Sequence, residues 1–217
     1  MARPVAADAE ATRRRILDTA RHLFSSQGNA ETSMRQIAKG AGVSLATVHH
    51  YFGSKAELFQ SAIDAMYVEL ATLRDELAPV ILGGADDLEG ALRETIRRTY
   101  AFVCKHRDEV RLLMRTVIGT GKSDSERREA FLLPLLDQGA AILHQLTGAP
   151  LETCRMTLLS LNHLVIRYAL TDEEELVEVV GVPRRGKLAT QVDAANGRVE
   201  THLVDVARSQ LGIGASS

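Results

Sequence analysis

The 217-residue sequence predicts an all-α fold, and three observations carry that prediction. Apolar residues recur three and four apart along most of the chain, strictly alternating runs are almost absent, and five prolines with no tryptophan argue against sandwiches and barrels. With 45% hydrophobic and 25% charged residues the composition is that of a globular chain, long enough for a substantial core and one small accessory unit.

The first helix is expected from about Asp8 to Gln27. Ile16, Ala20, Leu23 and Phe24 share one face, Arg13, Arg14 and Arg21 lie largely elsewhere, and Gly28 serves as C-cap. Ser33 with Gln36 forms a capping-box pattern that opens a short helix from Met34 to about Lys39, closed by Gly40 or Gly42. Ser44 caps the next helix, to about Tyr51, and Gly53 breaks the chain before Ser54, Lys55, Ala56 and Glu57 open another. Leu58, Ile63, Met66, Leu70, Leu73 and Leu77 then trace one long helix, expected to stop just short of Pro79.

The segment ILGGADD reads as a loop, and further helices are expected at about 86–105, 107–118, 124–147 and 150–171. Pro134 should kink or interrupt the third of these, and Pro150 suits the first turn of the fourth. The acids Asp172 to Glu175 lead into a short helix, GVPRRGK forms a loop, and a last helix covers about 188–211. Neither an internal repeat nor a low-complexity tract is present.

Charge is uneven. Residues 1–55 hold eight Lys/Arg against four acids, a net of +4, so that the chain total of −2 leaves −6 for the remainder. A basic head on an acidic body fits a head that meets a polyanion. No apolar run is long enough to cross a bilayer, the N-terminus lacks the apolar core of a signal peptide, and Cys104 and Cys154 cannot build a disulfide framework, so the expectation is a cytoplasmic, reduced protein away from membranes.

Within IAKGAGVSLATVHHYF, Ala38 is small where two helices must cross, Gly42 lies in the turn, and Ile37, Val43 and Val48 form a hydrophobic wedge. This is helix-turn-helix spacing, which projects a second helix into the major groove; the same three-helix packing also occurs as a purely structural unit.

The run from Ala11 to Phe59, with TRRRILDTARHLF and TSMRQIAKGAGVSLATVHHYFGSKAELF, resembles the DNA-binding head of the TetR family of transcriptional regulators. Beyond it the chain resembles that family only in length and helical character. The resemblance implies a helix-turn-helix head at 1–55, a helical effector-binding and dimerisation domain at 56–217, and a homodimer on a pseudopalindromic double-stranded operator, acting as a repressor whose ligand changes the spacing of the heads. A helical interaction or small-molecule-binding module without DNA affinity is the alternative.

Carried over by motif position, Ser33 would touch phosphate, Arg35 would sit near the backbone or an adjacent base, and Ser44, Leu45, Ala46, Thr47, His49 and His50 would line the recognition helix. Lys55 would bind phosphate at the positive start of its own helix. His49 stands where a tyrosine is common in the family, and Leu45 where a polar residue is frequent. Protonated His49 could donate to phosphate, and Leu45 could meet a thymine methyl or exclude water. Solvated surface positions are the alternative for both histidines.

In the body, Leu158, Leu161 and Val165, with Val192, Val199, Leu203 and Val206 of the last helix, could close a four-helix dimer interface; packing within one chain is the alternative. Met66, Tyr67, Tyr100, Cys104, Met114, Asn162 and His163 could line a pocket for a small apolar or amphipathic effector, although each also suits plain core.

Enzyme readings find little purchase. GTGKS at 119–123 mimics a phosphate loop, but Thr116 occupies the first glycine position and no strand precedes it. No HExxH, zinc spacing or GxSxG elbow occurs, and His49 and His50 diverge by about 100° on a helix. No enzyme activity, metal or cofactor is expected.

Overall fold

A computed structural model describes residues 5–120 and 125–213. Every regular element among them is helical: α1 (Val5–Gln27), α2 (Met34–Ala41), α3 (Leu45–Phe52), α4 (Lys55–Leu82), α5 (Leu88–Lys105), α6 (Arg107–Thr120), α7 (Ser125–Arg127), α8 (Leu133–Thr147), α9 (Leu151–Ala169), α10 (Glu173–Val179) and α11 (Leu188–Leu211). Of the GTGKS run, Gly121, Lys122 and Ser123 lie outside the described residues. Among the described residues, no helix is long and apolar enough to cross a membrane.

The described residues form two compact units. The first takes in the chain to Leu70 and the segment that begins at Asp108; the second takes in Ala71–Arg107 and the chain from Ser125. The first unit thus reaches further than the 1–55 head of the sequence reading, for a packing reason. Its core joins Ile16, Ala20 and Phe24 of α1, Ile37 of α2 and Val48 of α3 to Leu58 and Ile63 of α4 and Leu112 of α6. The buried Arg21 lies among the same helices, its Nη1 3.1 Å from Glu69 and 3.4 Å from Glu109.

Two glycines in α2 and its cap have separate jobs. Gly42 is the C-cap at φ +67°, a left-handed conformation that favours glycine, and its N–H donates back to Ala38 and Lys39. Gly40 stays inside the helix, where a Cβ would stand 2.7 Å from the Thr19 methyl, so it sets the closeness of α1 and α2.

Pro79 does not end α4. The helix runs on to Leu82, and Gly83–Ala85 add a 3-10 turn where a loop was expected. A proline removes one rung, and here Pro79 and Asp75, whose carbonyl would have accepted that bond, are both exposed. The break expected near Pro134 takes the form of a π-helical turn, Arg128–Leu132, which leads into α8 with proline in its first turn.

In the second unit a cluster of Leu92, Ala140, Leu143, Cys154 and Leu211 joins α5, α8, α9 and α11. Gly139 permits the close approach of α8 and α9, since a Cβ there would lie 2.9 Å from Leu158. Val165, Val199 and Leu203, three of the expected dimer residues, are buried in the chain itself, and Leu158 packs against the cluster. These four serve the chain's own core, leaving Leu161, Val192 and Val206 half-buried.

Candidate nucleic-acid interface

The first unit builds its exposed face from three consecutive capped helix starts. Ser33 caps α2 with a complete box: its hydroxyl accepts from Gln36 N–H, while the Ser33 N–H donates to Gln36 Oε1 at 2.7 Å. Because the Ser33 hydroxyl also lies 2.7 Å from that Oε1, its proton is committed inside the box. An anion at this end would meet first-turn backbone N–H groups, which no helix satisfies internally, before it met the side chain.

Ser44 caps α3. Its hydroxyl accepts from Thr47 N–H at 3.0 Å and lies 2.8 Å from the Thr47 hydroxyl. Two hydroxyls that share one bond leave one proton free to point outward, so Ser44 and Thr47 act as a pair. Val48 and Phe52 turn inward, Leu45 packs partly against the core, and Ala46, His49 and His50 are exposed. Leu45 therefore helps to seat the helix as well as presenting apolar surface.

At the other end of α3 the chain turns at Gly53, whose φ of +68° and ψ of −109° suit only glycine. The Nδ1 of His49 lies 2.7 Å from the Gly53 carbonyl. A carbonyl only accepts, so Nδ1 carries the proton, and the neutral ring is left with a lone pair at Nε2. Neutral His49 cannot donate to a phosphate; only the imidazolium has a second N–H to offer.

Ser54 and Glu57 close the third cap. The Ser54 N–H donates to Glu57 Oε2 at 2.7 Å and the Ser54 hydroxyl accepts from Glu57 N–H. The backbone hydrogen bond from Ser54, and then the one from its side chain, hold the Glu57 carboxyl below its ordinary range.

Lys55 is placed differently from its expected role. Its Nζ donates to the carbonyls of Asn29 at 2.8 Å and Thr32 at 3.2 Å, tying the start of α4 to the loop that delivers Ser33. An ammonium has three N–H donors, so one remains for a phosphate, but the side chain is first a clasp for that loop. Arg35 and Lys39 on α2 are exposed, and neither forms an ion pair among the described residues.

One charged residue of this face lies outside the predicted set. The Arg13 guanidinium sits over the Phe52 ring, 5.1 Å from its centroid, so α1 contributes a cation beside the last turn of α3. The pairing is tertiary, and spacing along the sequence carries no sign of it.

The expected effector residues are divided between the two units. Tyr100 and Cys104 stand one turn apart on α5; the Tyr100 hydroxyl donates to Asn196 Oδ1 at 3.0 Å, and burial raises both the Tyr100 and the Cys104 pKa. Asn162 and His163 are exposed on α9. Met66, Tyr67 and Met114 belong to the first unit, where Met66 is buried and Tyr67 packs against the core. Among the described residues, no group of three or more His, Cys, Asp or Glu side chains is placed to hold a metal ion.

Residues 16–62 match the family model described as bacterial regulatory proteins, tetR family. The regulator SrpR of Pseudomonas putida is 43% identical over 63 residues, 29% of this chain and 30% of SrpR. AcrR of Shigella flexneri is 46% identical over 59 residues, 27% of each chain. The matched segment thus spans less than a third of these relatives. Solved structures extend the likeness of fold: a TetR-like regulator from Rhodococcus sp. RHA1 has a TM-score of 0.56 at 23% identity over 94% of this chain and 98% of its own. A regulator of the TerR/AcrR family from Aquifex aeolicus has a TM-score of 0.58 at 16% identity over 88% and 99%.

Proposed function

We propose, from the match of residues 16–62 to the TetR family's head and the TetR-like fold beyond it, that this chain is a TetR-family helix-turn-helix transcriptional regulator that binds a pseudopalindromic operator as a homodimer and represses from it. The observation that carries this reading is the capped α2-turn-α3 unit, whose buried Ile37 and Val48 fix the crossing while Ala46, His49 and His50 face outward.

In this reading α3 enters the major groove with Ser44, Leu45, Ala46 and Thr47 toward base edges, and His49, His50, Arg35 and the remaining donor of Lys55 toward the backbone. Ser33 sets α2 against a phosphate through its first-turn N–H groups. Two heads on one duplex face stand about 34–36 Å apart, or a multiple of that, which ties operator symmetry to dimer geometry.

Dimerisation is assigned to exposed faces of α9 and α11. Gly197 supports it: this glycine lies inside a helix, where it costs stability, yet a Cβ there would meet nothing within 4 Å in the single chain. A second copy crossing at Gly197 would use that space. A small apolar or amphipathic effector bound by the body would lower operator affinity by the same factor by which operator lowers effector affinity.

Selection of bound duplexes from a random pool with the full chain, repeated with candidate small molecules, tests the reading. The expected result is an inverted repeat recovered without ligand and lost with one. Recovery of no preferred sequence at low salt would refute it.

A further inference from the structure

We infer that Arg13 is a phosphate-binding residue of the DNA face, held in place by the ring of Phe52; this rests on the DNA-binding reading above. Phe52 is 6% exposed and fixed in the core of the first unit, so its ring is a rigid platform. The Arg13 guanidinium carbon lies over that ring, 5.1 Å from its centroid, and the N–H donors have no hydrogen-bond partner among the described residues.

Arg13 is exposed, and no ion pair or hydrogen bond occupies it among the described residues. Glu10, one turn back on α1, does not pair with it. This is unlike most arginines of the chain: Arg21, Arg97, Arg98, Arg107 and Arg208 are all committed to carboxylates. A solvated surface arginine is free to roam, whereas Arg13 is steered to one place, beside the last turn of the helix proposed to enter the groove.

The chemistry there suits a phosphodiester. The fork can take two phosphate oxygens at once, and α3 ends in the turn where His49 is tied to the Gly53 carbonyl. Base-reading belongs to the N-terminal part of such a helix, so cations at its far end meet the backbone strand that borders the groove. Arg13 therefore adds affinity and fixes the tilt of α3 without adding sequence preference.

The test is equilibrium binding of the full-length protein and its Arg13→Ala and Arg13→Lys variants to the selected operator over a salt series, with thermal unfolding of each in parallel. One phosphate contact contributes about 0.9 to the slope of log affinity against log salt. A dimer of Arg13→Ala loses two such contacts, so its loss of affinity between 50 and 200 mM salt should be smaller than the wild type's by about twelvefold. Arg13→Lys should keep the wild-type slope, with weaker binding because the fork is gone. A slope unchanged in Arg13→Ala, with only the unfolding midpoint lowered, would make the contact structural and overturn the inference. Wild-type protein that binds no duplex at any salt would overturn the DNA-binding reading itself.

Discussion

His49 Nδ1 lies 2.7 Å from the carbonyl oxygen of Gly53, and this one bond settles what the exposed edge of the ring can do. With Nδ1–H spent on the carbonyl, only a protonated ring presents a donor at Nε2. A phosphate at that edge needs the protonated ring, so operator binding takes up a proton and affinity rises as pH falls. Operator affinity should be higher at pH 6 than at pH 8, and His49→Phe should flatten the difference. Affinity that fell on acidification would place a base-edge donor against the Nε2 lone pair instead.

Lys55 carries a structural and a binding role at once. Lys55→Met keeps the apolar stem but removes both carbonyl bonds, to Asn29 and Thr32, and should cost about 1–2 kcal/mol in urea unfolding. Affinity for random and specific duplex should fall together, because the lost contact reads no base.

Gly40→Ala brings a Cβ within 2.7 Å of the Thr19 methyl. Thr19→Ser removes that methyl and keeps the hydroxyl that donates to Arg15 O. The single change at Gly40 should lower the unfolding midpoint of the head, and the double variant should recover most of the loss. A double variant no better than Gly40→Ala would move the close approach elsewhere.

Arg21 pairs with Glu69 and Glu109, with Asp18 at 3.9 Å, so Arg21→Ala removes the cation that these carboxylates share. Glu69 keeps about a third of its side chain exposed, so solvent softens the penalty, and Arg21→Ala should cost about 2–3 kcal/mol in urea unfolding. Glu109→Gln added to Arg21→Ala should restore part of that stability.

The third cap responds to acid. Glu57 has its pKa lowered from 4.5 by the Ser54 bonds, so the native state holds this proton more weakly than the unfolded chain. Its stabilisation is complete above pH 4.5 and is lost as pH falls through the lowered value. Glu57→Gln should flatten this part of the acid limb of the stability curve, read by circular dichroism between pH 5 and 3.

The helices and their caps were readable from the sequence because the signals are local. Ser33 with Gln36 and Ser54 with Glu57 announce helix starts by spacing alone, and both boxes form as read. What was not readable depends on contacts far apart in the chain. Spacing allows Gly40 or Gly42 to end α2, and the Thr19 contact of Gly40 together with the left-handed backbone of Gly42 separates the packing glycine from the capping one. Spacing places Lys55 at the positive start of α4 but cannot show its bonds to Asn29 and Thr32 in another loop, nor the ring partner of Arg13, 39 positions away. Pro79 marked a helix end on local grounds, yet α4 continues past it where solvent meets the missing rung. At Val165, Val199 and Leu203 periodicity showed an apolar face but not whether it met its own chain or another.

The first unit is discontinuous along the polypeptide, since Asp108, Glu109 and Leu112 pack with residues before position 70. A leading fragment excised at residue 70 would forfeit the Asp108 partner of His22, deprive Arg21 of Glu109 while leaving it Glu69 and Asp18, and open a void where Leu112 sat. Anyone grafting this head onto another protein should carry a tethered copy of 108–120 with it.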